Sequence, residues 1–100
     1  MTQTVLYDRK ANPDYIPRVA AVHDLCGYGK CSLGIAIPVV SAGGCDVCPV
    51  PTGLFSSHTA FPGWYMHDTT DILPDYLAAW QNIGVEIDAI YSGFLGAPEQ

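Results

Sequence analysis

Three short apolar runs rich in Val, Ile and Ala, separated by two stretches of helical spacing, constrain this chain more than any other feature of its sequence. Arg18–His23 (RVAAVH) has the length and composition of a buried strand, closed by Asp24 and a glycine pair. From Ser32 onward, Leu33, Ala36, Ile37 and Val40 recur at helical spacing and Gly43-Gly44 supply a stop. Pro38 should kink that helix, because its ring opposes the carbonyl of Gly34. Cys45–Val50 reads as a second strand; Pro49 and Pro51 cannot donate to a ladder, which predicts a sheet edge or a strand that ends there. Ile72, Leu73, Tyr76, Leu77, Trp80 and Ile83 trace the apolar face of a second helix, ended by Gly84. Val85–Ser92 (VEIDAIYS) alternates as a third strand and leads into the turn Gly93-Phe94-Leu95-Gly96. The order β-α-β-α-β predicts an α/β fold, a parallel sheet with right-handed crossovers. Residues 1–17 read as a polar N-terminal arm outside it, and 18–100 as the fold proper.

With 49% hydrophobic and 14% charged residues, the chain is expected to be globular and to form one small unit. Four Lys and Arg against ten Asp and Glu, a net charge of -6, leave no basic stripe to neutralise a nucleic-acid backbone or an anionic membrane. The arm is interrupted by Asp8, Arg9, Lys10, Asp14 and Pro17, so it contains no signal-peptide core. The longest apolar stretch, Leu33–Val40, is too short for a bilayer. A cytoplasmic protein with reduced thiols is the expectation.

In an open α/β sheet ligands bind beyond the carboxyl ends of the strands, here Asp24–Gly29, Thr52–Thr59 and Gly93–Gly96. The segment DLCGYGKCS is not a phosphate-binding P-loop, which needs glycine where Asp24 stands and Ser or Thr where Cys31 stands. It fails as a dinucleotide fingerprint too, with Ser32 at the third glycine position, and a tight strand-to-helix turn explains its glycines equally well. Cys45 and Cys48 have the spacing of half a zinc site, but on a strand they point to opposite faces, and Cys26 and Cys31 are spaced differently. Buried free thiols without a metal are expected. His58, within FSSHT, lies in the 51–68 connection, where aromatic rings and hydroxyls occur together as in a pocket for a flat, partly polar ring. His23 and His67 read as structural. Asp24, at a strand mouth, can pair with a ligand cation or hydroxyl or simply serve the turn.

FSSHT resembles the F-S-N-H-T segment of pyridoxal kinases, and YSGFLG resembles their T-G-Y-L-G segment. From Val19 to Gln100, including HDLCGYGKCSL and PVPTGLFSSHT, the chain is most similar to the pyridoxamine kinases of the ribokinase-like superfamily. The resemblance implies a kinase that phosphorylates the 5'-hydroxymethyl group of a B6 vitamer with ATP and Mg, as a homodimer. It implies that Phe55 stacks on the pyridine ring while His58 and Thr59 line the polar edge. Phe94 falls where many members have Tyr, so a ring contact survives without its hydroxyl. Asp24 falls where many have Ser, and a carboxylate there favours a protonated ring or an amine. The family's catalytic base lies in a later G-x-G-D turn, and no such turn occurs between Met1 and Gln100. The chain is therefore expected to be an N-terminal portion, a fragment or truncated gene product, with no catalytic residue of its own. The alternatives are a hydroxymethylpyrimidine kinase of thiamine synthesis, whose glycine-rich turn Asp24-x-x-Gly27-x-Gly29 echoes, and a non-catalytic binding or metal module.

Overall fold

The computed structural model describes residues 14–93 and residue 95. Strand β1 (Arg18–Tyr28) is followed by helix α1 (Leu33–Ala42) and strand β2 (Asp46–Ser57). Strand β3 (Met66–Asp68), a 3-10 turn (Thr70–Ile72), helix α2 (Leu73–Asn82) and strand β4 (Ala89–Ser92) complete it. The sheet order is β3-β2-β1-β4. β1 runs parallel to both β2 and β4, and β3 is antiparallel to β2. The expected β-α-β-α-β order is present, and the connections lead to opposite sides of β1, which under the right-handed rule for parallel crossovers puts the two helices on opposite faces.

Two expectations need correction. Pro49 and Pro51 neither end β2 nor put it at an edge, since β2 continues to Ser57 between β1 and β3. The Pro49 carbonyl accepts from the Tyr76 hydroxyl (2.6 Å) and the Pro51 carbonyl from the Thr69 hydroxyl (2.6 Å). Both prolines thus face away from β1, over a stretch that β3, paired only with Gly53–Phe55, does not reach. Their missing N–H groups cost no ladder bond there. The second correction is that 51–68 is no simple connection: half of it is strand, and Met66–Asp68 returns as a fourth strand. A three-residue strand leaves too little alternation to read, and this return is fixed by contacts made only on folding. The Ser56 N–H donates to Tyr65 O (2.8 Å), and the Tyr65 N–H donates to Ser56 Oγ (2.7 Å).

Ala20, Ala21, Leu33, Ala36, Val50 and Leu73 form the buried core. Two adjacent alanines in the central strand let the backbone of the sheet lie close to the helices. Ile37, expected on the inner face of α1, is 37% exposed. Over the other face, Leu73, Leu77 and Trp80 of α2 and Ala20, Val22 and Val50 of the sheet border an open apolar cavity of about 450 Å³ that reaches Ile90 on β4. β4 is an edge strand with all four residues exposed. Among the described residues no helix is long and apolar enough to cross a membrane.

The chain entering β1 is tied to the chain entering β4 through Asp88. Its Oδ2 accepts from the Tyr15 hydroxyl and from the Arg18 N–H (2.9 Å). These bonds, the tyrosine's first, hold the Asp88 carboxyl below the ordinary carboxylate range. A depressed folded-state pKa means that the tether contributes fully above about pH 4 and is lost as pH falls further. Thermal unfolding followed across pH 3 to 7 is expected to show a shallower acid decline in Asp88→Asn than in the parent; identical slopes would exclude the tether.

Candidate functional site

β1 and β2 do not stay in one register to their ends. His23 pairs with Pro51 but Leu25 with Leu54, so β2 carries one extra residue opposite Asp24. Beyond this bulge β1 stays beside β2 as far as Tyr28, and the chain then turns back so that Ser32 meets Leu25 in an isolated antiparallel bridge. The result is a cavity of about 280 Å³ at the carboxyl ends of the two strands. Asp24, Cys26, Cys31 and Ser32 line one side, and Phe55, His58 and Thr59 the other.

Asp24 is 7% exposed and accepts from Ser32 Oγ at 2.6 Å and from Cys26 Sγ at 3.5 Å. A carboxylate so enclosed needs these donors to offset its lost hydration. Ser32 precedes α1 but makes no side-chain cap, because its hydroxyl serves Asp24. It also adopts φ 46°, unusual for a residue with a side chain. Such strain is held in place by its surroundings and clusters at ligand sites. Gly29 is required twice over: it has φ 81°, and a Cβ there would stand 3.0 Å from His58 Cβ and 3.1 Å from the Phe61 ring. The turn can therefore press against the His58 segment only with glycine at this position.

The His58 N–H donates to Tyr28 O (2.8 Å), fixing the second wall to the first. Its Nδ1 accepts from the Ala60 N–H (2.9 Å), so the neutral ring carries its proton on Nε2 and offers a donor there. The Phe55 ring lies 5.6 Å from that of Trp64, tilted by 52°. Thr59 is exposed at the rim. The cavity thus combines an aromatic face, a buried carboxylate acceptor, an imidazole and a hydroxyl, a set of groups matched to a flat heteroaromatic ring with polar substituents.

Of the residues singled out from sequence, Asp24, Phe55, His58 and Thr59 lie on this cavity; Phe94 is outside the described residues. His67 is exposed on β3 and does not line it. His23, read as structural, is 6% exposed with its ring edge-on to Tyr91 at 4.5 Å. Sequence reasoning missed Cys26, Cys31 and Ser32 as lining residues. The signal lay in the four-residue segment GYGK between the two cysteines, which as a hairpin turn sets them opposite each other.

Cys26 and Cys31 come within 2.8 Å, sulfur to sulfur. Burial first, then the neighbouring Cys31 thiol and Asp24, push the Cys26 thiol up to about 12. With Asp24 they form the one group of three potential metal ligands among the described residues. Cys45 and Cys48 take no part in it. Two thiols and a carboxylate suit Mg²⁺ poorly, which takes oxygen ligands, so a nucleotide-bound magnesium is not held by this set.

No protein-family model and no curated protein matches the chain. Solved structures do. A Bacteroides thetaiotaomicron protein assigned as a phosphomethylpyrimidine kinase, in a crystal form with pyridoxal, is 46% identical with a TM-score of 0.81. The match covers 86% of this chain and 30% of that one. A second crystal form of it gives 46% identity and a TM-score of 0.82, over 87% and 30% of the two chains. Pyridoxal kinase from Lactobacillus plantarum is 30% identical with a TM-score of 0.80, over 85% of this chain and 31% of its own. The chain thus spans about a third of the length of these proteins. In both fold and sequence the chain is thus similar to the N-terminal part of ribokinase-like kinases, among them pyridoxal and phosphomethylpyrimidine kinases.

Proposed function

We propose that residues 1–100 supply the vitamer-binding wall of a kinase that transfers the γ-phosphoryl group of ATP to the 5'-hydroxymethyl group of pyridoxal, pyridoxamine or pyridoxine. The observation that carries this reading is the convergence of Asp24, Phe55, His58 and Thr59, from two strands and the turn after β2, on one cavity of about 280 Å³. The 46% identical structure containing pyridoxal supports it. Phe55 stacks on the pyridine ring, while His58 Nε2–H and the Thr59 hydroxyl bond the ring substituents. The Asp24 carboxylate faces the protonated ring nitrogen or the amine of pyridoxamine. The resemblance to pyridoxal kinases extends a vitamer-binding role to Phe94. ATP and its Mg²⁺ bind outside these 100 residues, and the complete enzyme works as a cytoplasmic homodimer. Hydroxymethylpyrimidine is the competing substrate, related to the phosphomethylpyrimidine named in the assignment of the same 46% identical protein.

The test is equilibrium binding of pyridoxal, pyridoxamine and hydroxymethylpyrimidine to the chain and three variants. Phe55→Ala and Thr59→Val are expected to weaken vitamer binding by about 1–3 kcal/mol, with Thr59 at the lower end because it is exposed before binding. Asp24→Ser should lower the preference for pyridoxamine over pyridoxal. Tighter binding of the pyrimidine than of every vitamer would reverse the assignment, and an unchanged affinity in all three variants would move the site elsewhere.

A further inference from the structure

We infer that Cys26 and Cys31 are a redox-active pair that closes to an intramolecular disulfide in the wall of the cavity. Next inward from the Leu25–Ser32 bridge, the two cysteines face each other across a tight turn. Their sulfurs stand 2.8 Å apart. Opposed positions on antiparallel backbone put side chains within the span that a disulfide needs. Both cysteines are partly exposed, so a small oxidant reaches them.

The alternative use of this cluster, a soft metal ion held with Asp24, fits less well. Two sulfurs on one tetrahedral zinc lie about 3.8 Å apart, given zinc–sulfur bonds of about 2.3 Å. The Asp24 Oδ1 is already engaged by Ser32, and Cys26 is biased towards its protonated form. A disulfide needs neither a thiolate at rest nor a fourth ligand.

The oxidant is a small disulfide such as oxidised glutathione. The Cys31 sulfur attacks it, releasing one reduced glutathione and leaving a mixed disulfide. With Cys31 so capped, the neighbouring thiol no longer opposes ionisation of Cys26. Cys26 then loses its proton and its sulfur displaces the second glutathione. Two protein thiols are oxidised, one glutathione disulfide is reduced to two thiols, and the two protons end on those thiols. The Cys26 S–H donor to Asp24 disappears in the process, so the cavity wall changes with redox state. The inference concerns the sulfurs alone and stands whether or not the cavity binds a vitamer.

The test equilibrates the chain in graded mixtures of reduced and oxidised glutathione, quenches with acid, alkylates free thiols and maps the four cysteines by mass spectrometry. The expected result is a linked Cys26–Cys31 peptide, with Cys45 and Cys48 alkylated and an equilibrium constant at least about tenfold larger than in concentrated urea. Cys26→Ser should instead trap a glutathione adduct on Cys31. Full alkylation of both cysteines at the oxidising end, stable adducts on both, equal linkage with and without urea, or zinc retained by the pair after dialysis would each overturn the inference.

Discussion

Residues 1–100 on their own are expected to form no pyridoxal 5'-phosphate from ATP and pyridoxal above the uncatalysed background. Phosphoryl transfer places few covalent demands on a protein; its rate comes from positioning the acceptor against the phosphoryl group and stabilising charge on the transferring oxygens. The cavity provides the first half of this at best. Its polar groups are a carboxylate, an imidazole, two hydroxyls and two thiols, and none is a backbone cradle for phosphate. The turn DLCGYGKCS departs from a P-loop at two required positions, and no G-x-G-D turn occurs in the sequence. Losing a single oxyanion-type donor costs about a hundredfold to a thousandfold in rate, and here the whole set is lacking. A coupled assay for the aldehyde phosphate, run beside an intact pyridoxal kinase, decides the matter. Turnover comparable with that enzyme would mean that the catalytic groups lie within these 100 residues and that the site is misassigned.

Gly93→Ala is expected to be the most destabilising small substitution in the chain. A Cβ at Gly93 would stand 2.3 Å from His23 Nδ1 and 2.5 Å from its Cε1. The ring cannot move aside easily, being 6% exposed and held edge-on against Tyr91. Gly93 is itself anchored to β1, its N–H donating to Val22 O at 2.9 Å. Either His23 leaves its buried position or β4 withdraws from β1, and β4 pairs with nothing else among the described residues. Overpacking of this depth costs about 3 kcal/mol. That is a large share of the stability of a small domain, so much of the population should unfold. His23→Ala removes the obstruction, and in that background the same methyl group should cost about 1 kcal/mol or less. Urea titrations of the parent, both single variants and the double variant measure the coupling. Equal costs in the two backgrounds would show that His23 does not set the requirement for glycine.

Elements whose signal is local were readable from the residues alone. The second helix announced itself through Ile72, Leu73, Tyr76, Leu77, Trp80 and Ile83, and the structure has helix over Leu73–Asn82, with Ile72 and Ile83 exposed at its two ends. The short runs around Ala20 and Val50 specified parallel strands because burial on both faces demands continuous apolar residues. Asp24, Phe55, His58 and Thr59 were legible as candidates because their residue types fall where an α/β sheet binds ligands, and because FSSHT is a distinctive segment.

Tertiary structure decided what depends on partners distant in sequence. Proline in the middle of β2 is harmless only because Tyr76 and Thr69 take the carbonyls on the unladdered side, which no local pattern encodes. β3 exists because Tyr65 and Ser56 bond across the hairpin, not because three residues favour extension. The bulge opposite Asp24 and the bridge between Leu25 and Ser32 turned a strand-to-helix connection into a cavity wall with two facing cysteines. The spacing of Cys26 and Cys31 argued against a shared zinc site, yet it is this spacing that a tight turn folds back on itself. Periodicity reports which side of an element is buried; register and turn geometry, which select the residues that meet, are settled only when the whole sheet closes its hydrogen bonds.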